Sequence, residues 1–375
     1  MNYYIIAGER SGDLHASNLI QGLKKVDAHA QFRGMGGDYM EAADCFLVAH
    51  YREMALMGFV EVVLHFRRVL TYLNKIKADL LEHRPDALVL VDFGGFNMKM
   101  AAFASKQGIP VHYYIAPKVW AWNQNRAYTL KKYVDQLYCI LPFEPEFFQK
   151  FDWQVAYVGN PLLDETKKFR PDPDFLERNR IRADRLVALL PGSRKQEISQ
   201  MLRTMIALKS ELKEVDWVVA GVSNLPAEVY QEAIAAGIKV IFDQTYDILY
   251  RARAAVVTSG TATLETALFQ VPQVVVYKTS SISYAIAKRL IRVPFISLVN
   301  LIAGTGLVKE LIQSDYSAAS VKKELQALLP DGPRRQALLE GYGALIEKIG
   351  TKQASLETAE LIFGSLSGRA VASNP

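Results

Sequence analysis

The chain has 375 residues, half of them hydrophobic and 22% charged, which suits two domains with sizeable cores and excludes global disorder. With 44 Lys and Arg against 39 Asp and Glu, the formal charge is +5. That excess fits a phosphate-binding patch or an anionic surface and is too small, without a motif, to mark a nucleic-acid binder. Two cysteines, Cys45 and Cys139, exclude a disulfide framework and a cysteine-rich zinc site.

From Met1 the chain reads directly as a strand, with no basic n-region or cleavage site. The longest uncharged stretch, 293–308, is 16 residues long and is broken by Pro294 and two glycines, too short to span a bilayer. A cytoplasmic protein, soluble or peripheral, is expected. Apolar runs predict strands at 3–7, 87–91, 111–115, 136–141 and 155–158, and 3.6-residue periodicity predicts helices at 15–25, 59–81 and 98–106. The polar, proline-rich stretch 167–174 reads as an interdomain linker. Beyond it, strands are predicted at 186–190, 217–220, 239–242, 254–258 and 273–276, with helices at 198–212 and 261–269. This alternation argues for α/β architecture with two facing Rossmann-like domains, 1–168 and 175–345, and a C-terminal helix and tail at 346–375. Doubly wound sheets bind ligands at the carboxyl ends of their strands, so the residues that end each strand are the candidates for chemistry.

Three strand-to-helix turns share small residues that let a backbone approach a phosphate. They are Gly8-Glu9-Arg10-Ser11-Gly12-Asp13, Gly192-Ser193-Arg194 and Ser259-Gly260-Thr261-Ala262. Each is equally readable as an ordinary helix cap, and none is a dinucleotide or P-loop motif. Arg194 can fork onto a diphosphate, and Glu265, one helical turn past Thr261, can accept from two ribose hydroxyls or simply favour the helix dipole. Asp92 ends an apolar strand, where a carboxylate serves as a general base or caps the next helix. Trp120 and Trp122 offer aromatic faces to a sugar or pack in a core. The six histidines form no metal-ligand pattern, and Asp172-Pro173-Asp174 belongs to the linker, so no metal site is expected. Phe59, Val63, Phe66, Arg67 and Arg68 lie in an amphipathic segment, and Lys288 and Arg289 in a second; both suit a packed helix or an anionic membrane surface.

Between Gly8 and about Gln313 these segments, in order, resemble the lipid-A-disaccharide synthases, bacterial glycosyltransferases of GT-B fold. The resemblance is carried by Gly8-Glu9-x-Ser11-Gly12-Asp13, Gly36-Gly37-x-x-Met40, Met57-Gly58-x-x-Glu61-Val62 and Asp92 with Phe96-Asn97. It continues in Val119-Trp120-Ala121-Trp122 with Arg126, Leu141-Pro142-Phe143-Glu144 and Leu190-Pro191-Gly192-Ser193-Arg194. Ser259-Gly260-Thr261-Ala262 with Glu265, and Ala287-Lys288-Arg289-Leu290, complete it. The resemblance implies transfer of a 2,3-diacylglucosamine unit from its UDP derivative onto the 6-hydroxyl of 2,3-diacylglucosamine 1-phosphate, with inversion and no cofactor. It implies Asp92 as base, Arg194 on the diphosphate, and Gly192, Ser193, Ser259, Gly260, Thr261, Ala262 and Glu265 around UDP. Glu9, Ser11, Gly12, Asp13, Trp120 and Trp122 then line the acceptor cleft. Action at the inner membrane surface and a homodimer are implied as well.

The chain departs from the family pattern at three places. Asn160 follows Gly159 where a His is common, Gly94-Gly95 replaces a Pro-Asp, and Thr305-Gly306 stands where a charged pair is usual, which implies either weaker donor affinity or a donor phosphate served by Lys309. Two other readings stay open: a different GT-B enzyme, such as a UDP-N-acetylglucosamine 2-epimerase-like isomerase or a transferase using an unacylated sugar, and a peripheral UDP-sugar-binding protein without turnover.

Overall fold

A computed structural model describes residues 1–55, 66–291 and 293–372. The chain divides into two compact units, Met1–Pro161 with Thr351–Pro375, and Leu162–Gly350. In the first, β1 (Asn2–Ala7), β2 (Gln31–Gly36), β3 (Cys45–His50), β4 (Ala87–Val91), β5 (Val111–Tyr114), β6 (Gln136–Cys139) and β7 (Ala156–Tyr157) are described. They form a parallel sheet in the order β3-β2-β1-β4-β5-β6-β7. The second unit holds β8 (Leu186–Leu190), β9 (Asp216–Gly221), β10 (Lys239–Phe242), β11 (Ala254–Thr258), β12 (Gln273–Tyr277) and β13 (Lys309–Ile312). Its order is β10-β9-β8-β11-β12-β13, again parallel.

The central strands β4, β8 and β11 are buried at every residue, and β1 at every residue after Asn2. Such strands read as unbroken apolar runs because helices cover both faces of a parallel sheet. Each Val, Leu or Ile so buried contributes roughly 1.5–3 kcal/mol. Both sheets are doubly wound Rossmann-like sheets, and each has one place where strand order reverses: between β1 and β4, and between β8 and β11. Ligands bind beyond the carboxyl ends of the strands at these points.

The strands β2, β3 and β13 are not among the predicted ones. β2 carries an arginine and two glycines, and one glycine is a packing requirement, since a Cβ at Gly34 would stand 1.9 Å from the Ile5 carbonyl oxygen. The stretch 167–174 is no free linker. Phe169 packs edge-on to Tyr246 and Phe269, and the Asp172 N–H donates to Asp247 at 2.8 Å, so it belongs to the second unit. The Asp172 carboxylate pairs with Arg178 and accepts from the Asp174 N–H, which accounts for the Asp-Pro-Asp pattern.

The last helix, Ala354–Ala372, joins the core of the first unit through Ala354, Ala359, Ile362 and Leu366. It lies on the helix Arg10–Val26 so closely that a Cβ at Gly22 would come 2.9 Å from the Ser355 carbonyl oxygen. Among the described residues, no helix is long and apolar enough to cross a membrane.

Candidate active site

In the first sheet Ala7 pairs with Val91, so the turns after β1 and β4 leave the same edge side by side. Asp92 and Phe93 follow β4 with φ of +48° and +49°, consecutive left-handed residues before the helix Gly94–Lys106. Such a conformation costs a non-glycine residue roughly 1–3 kcal/mol and persists only where its surroundings hold it. Here they do. The Tyr113 hydroxyl donates to the Asp92 carbonyl oxygen at 2.6 Å, and Asn97 Nδ2 donates to the same oxygen at 2.8 Å. The Phe93 ring lies on Gly8, where a Cβ would stand 2.3 Å from ring carbons. Asp92 itself is half-buried, and its charge, added to burial, keeps the Tyr113 hydroxyl protonated.

Of the other residues proposed for this edge, Glu9 and Ser11 are exposed and Gly12 is buried. Asp13 is buried and faces inward. Its carboxylate accepts from the N–H groups of Gly37 at 2.7 Å, Tyr39 at 3.0 Å and Met40 at 3.1 Å, and so starts the helix Asp38–Ala42. Trp120 also serves the fold: it is buried, edge-on to Phe143 at 5.0 Å, and donates from Nε1 to Glu144 Oε1 at 3.0 Å. Trp122, two residues on, is 44% exposed, with the Arg126 guanidinium 4.6 Å from its ring centre.

Glu144 is fully enclosed and also accepts from the N–H groups of Ile140 and Leu141, at 3.1 and 2.9 Å. Burial pushes its pKa from 4.5 up to about 7, although all three hydrogen bonds oppose the shift. The folded protein therefore takes up a proton here between about pH 7 and 4.5 that the unfolded chain does not, and this group stabilises the fold as pH falls through that window. In Glu144→Gln that contribution is absent. Wild-type Tm is expected to rise relative to the variant as pH is lowered from about 8 to about 5.5 in scanning calorimetry.

In the second sheet Leu190 pairs with Val257, placing the turns after β8 and β11 together. Gly192 has φ +111°, and a Cβ there would meet Glu197 Oε2 at 2.6 Å. Glu197 folds back from the helix Lys195–Glu211, accepting from the Ser193 N–H at 3.3 Å and approaching Arg194 Nη1 at 3.4 Å. Arg194 is 70% exposed. Ser259 is tied into the fold: its N–H donates to the Val276 carbonyl oxygen at 3.0 Å and its hydroxyl to that of Ile296 at 2.8 Å. Gly260 is open, with nothing within 4 Å of where a Cβ would sit, and Thr261 begins the helix Thr261–Leu268. Ala262 is half-buried on that helix. Further along it, half-buried Glu265 accepts from the Tyr246 hydroxyl at 2.8 Å; burial raises its pKa and the Tyr246 bond opposes the rise. Glu310 braces the neighbouring segment, accepting from the N–H groups of Ile296 and Ser297, both at 3.0 Å.

At the family departures, Asn160 is buried and donates to the Ile140 carbonyl oxygen at 3.1 Å, while Thr305, Gly306 and Lys309 are exposed. Of the membrane candidates, Phe59 and Val63 lie outside the described residues. Phe66, Arg67 and Arg68 open the helix Phe66–His83, and only their backbone is described. Lys288 and Arg289 are exposed on the helix Ser281–Leu290, together with Ile282 and Leu290, and Ile291 just after it is exposed as well. The described residues hold one acidic and histidine group of metal-ligand spacing, Asp79 with Glu82 and His83. Asp79 there accepts from Arg33 Nε at 2.8 Å and the Tyr4 hydroxyl at 2.9 Å, an ion-pair network within the fold. Sequence reasoning missed Tyr113, Glu197, Tyr246 and Glu310 as supports, and saw Asn97 only as part of a motif. Their one legible signal was adjacency to a strand end or to the first turn of the following helix.

This pair of doubly wound sheets is the fold of GT-B glycosyltransferases and related epimerases. UDP-GlcNAc 2-epimerase from Neisseria meningitidis aligns with a TM-score of 0.65 at 12% identity, over 98% of this chain and 100% of that one. The calicheamicin glycosyltransferase aligns with a TM-score of 0.62 at 18% identity, over 98% of each. The family is set by sequence: the profile of lipid-A-disaccharide synthetase matches residues 3–360. The lipid-A-disaccharide synthase of Syntrophotalea carbinolica is 37% identical over 367 residues, 96% of this chain and 94% of that one. The chain belongs to the lipid-A-disaccharide synthase family, glycosyltransferases of lipid A biosynthesis.

Proposed function

We propose that this enzyme condenses UDP-2,3-diacylglucosamine with 2,3-diacylglucosamine 1-phosphate by single, inverting displacement. The first unit binds the acceptor and supplies the base; the second binds the donor. The acceptor 6-hydroxyl gives its proton to the Asp92 carboxylate while its oxygen bonds to the donor's anomeric carbon. The bond from that carbon to the diphosphate oxygen breaks, and its electron pair leaves with UDP. Arg194 and the N–H groups of Gly192 and of the Gly260–Ala262 turn stabilise the departing charge, for which one preorganised donor contributes about 3 kcal/mol to the barrier. Glu265, with Oε1 fixed by Tyr246, receives ribose hydroxyls on Oε2.

The observation that carries this reading is the Asp92 turn: a carboxylate at the reversal point of a doubly wound sheet, in a left-handed conformation held by Tyr113 and Asn97. Strain maintained in this way is characteristic of catalytic turns. The exposed Lys288 and Arg289 beside Ile282, which is 76% exposed, support a peripheral place on the anionic inner membrane surface, facing the cytoplasm.

The test supplies both acylated substrates in detergent, with EDTA present. Acceptor-dependent UDP release with an equal amount of disaccharide phosphate is expected. UDP binding without turnover, or conversion of UDP-N-acetylglucosamine in place of transfer, would overturn the proposal.

A further inference from the structure

We propose that Arg126, stacked on Trp122, binds the phosphomonoester of the acceptor and makes the enzyme selective for a sugar 1-phosphate. This rests on the transferase reading above and adds to it the group that recognises the acceptor's charge.

Arg126, like Arg251 on Tyr250, lies on an aromatic ring rather than in an ion pair, and of the two it is Arg126 that follows β5, the neighbour of the strand that ends at Asp92. Arg33, Arg52, Arg178 and Arg253 each pair with an aspartate. Among the described residues, no carboxylate pairs with Arg126 and no acceptor takes a hydrogen bond from its side chain; its recorded neighbour is the Trp122 ring, 4.6 Å from the guanidinium carbon. A guanidinium laid on an aromatic ring is held in one orientation by cation–π attraction, while its edge keeps parallel N–H donors that match two oxygens of a phosphate. Trp122 is exposed and Arg126 half-buried beneath it, and exposed Lys118 on the same segment adds a second positive charge.

The pair is presented from an anchored turn. One helical turn, Val119–Trp122, points Trp120 inward to Glu144 and Phe143 and leaves Trp122 outside. Gln124 Nε2 donates back to the Trp120 carbonyl oxygen at 3.2 Å, and the Arg126 N–H to that of Asn123 at 3.1 Å. The turn also lies near the proposed base. It follows β5, whose Tyr114 pairs with Val91, and Pro117 comes within 3.2 Å of where a Cβ on Gly94 would stand. The 6-hydroxyl, carried through C6 on C5, and the 1-phosphate, on C1, flank the ring oxygen, and an α-1-phosphate stands on the opposite face of the ring from C6. That separation is on the scale of the step from the end of β4 to the segment after β5, neighbouring strands being about 4.8 Å apart.

The test compares acylated glucosamine acceptors with and without the 1-phosphate, in neutral detergent, for wild type, Arg126→Met and Arg126→Lys. With the phosphorylated acceptor, Arg126→Met is expected to raise KM about 10- to 100-fold, the range for a lost hydrogen-bonded charge contact. With the unphosphorylated acceptor its KM should match wild type, and Arg126→Lys should fall between. Equal losses on both acceptors, or no loss on either, would overturn the proposal. Unchanged Tm in the variants is expected, since no ion pair within the described residues is removed. Wild type inactive on both acceptors would instead count against the transferase reading, and a binding arm would still decide Arg126. In that arm the phosphorus resonance of glucosamine 1-phosphate broadens with wild type and not with Arg126→Met; equal broadening would overturn the assignment.

Discussion

Asp92→Asn is expected to lower kcat at least a hundredfold while UDP affinity stays at the wild-type level. The amide matches the carboxylate in shape and cannot take the proton of the acceptor hydroxyl, and a positioned base typically accounts for about 10²–10⁴-fold in rate. Asparagine suits this site for a second reason. It tolerates left-handed backbone better than other non-glycine residues, so the φ of +48° and the bonds from Tyr113 and Asn97 to the carbonyl oxygen are retained. The loss therefore reports on chemistry rather than on collapse of the turn. Steady-state kinetics with UDP titration calorimetry separates the two quantities. Undiminished kcat would move the base elsewhere, with exposed Glu9 and half-buried His15, on the helix Arg10–Val26, the next residues to replace.

Arg194→Ala is expected to reduce kcat by about 10²–10³-fold, the effect of removing one preorganised donor from a developing anion. Unlike Asp92→Asn, it should also weaken UDP binding. Its effect on folding should be absent: the side chain is 70% exposed and its contact with Glu197 is 3.4 Å long, an ion pair of the kind that contributes about 0–1 kcal/mol. Arg194→Lys should recover only part of the rate, because an ammonium restores the charge without the fork that engages two phosphate oxygens. Equal kcat in Arg194→Ala and wild type would leave the leaving-group charge to the backbone turns alone.

The strands that position the site were legible because they are central. β1, β4, β8 and β11 lie between covered faces and read as unbroken apolar runs, so the residues at their ends could be named from spacing alone. β2 and β13 were not, because glycines and charged residues interrupt them where the sheet is less enclosed. Direction was harder to read than position. Asp13 and Trp120 sit beside the right strand ends, yet one turns in to cap a helix and the other to meet Glu144, and only the partners decide that. The left-handed turn at Asp92 was invisible for the same reason: Tyr113 and Gly8, distant in sequence, make it tenable. Phe169, hidden in a polar and proline-rich stretch, finds its aromatic partners about 80–100 residues downstream, too far for any local pattern to show.

The proposed direct displacement at the donor's anomeric carbon, with one base on the acceptor hydroxyl and no enzyme-bound sugar, leaves its mark on the product. The most direct test is the anomeric configuration of the new linkage, read from the proton coupling of the purified disaccharide made by the wild-type enzyme from an α-linked UDP donor. The β-anomer is expected. An α-linked product would require two displacements or front-side attack, and would contradict Asp92 acting as the base of a single inverting step.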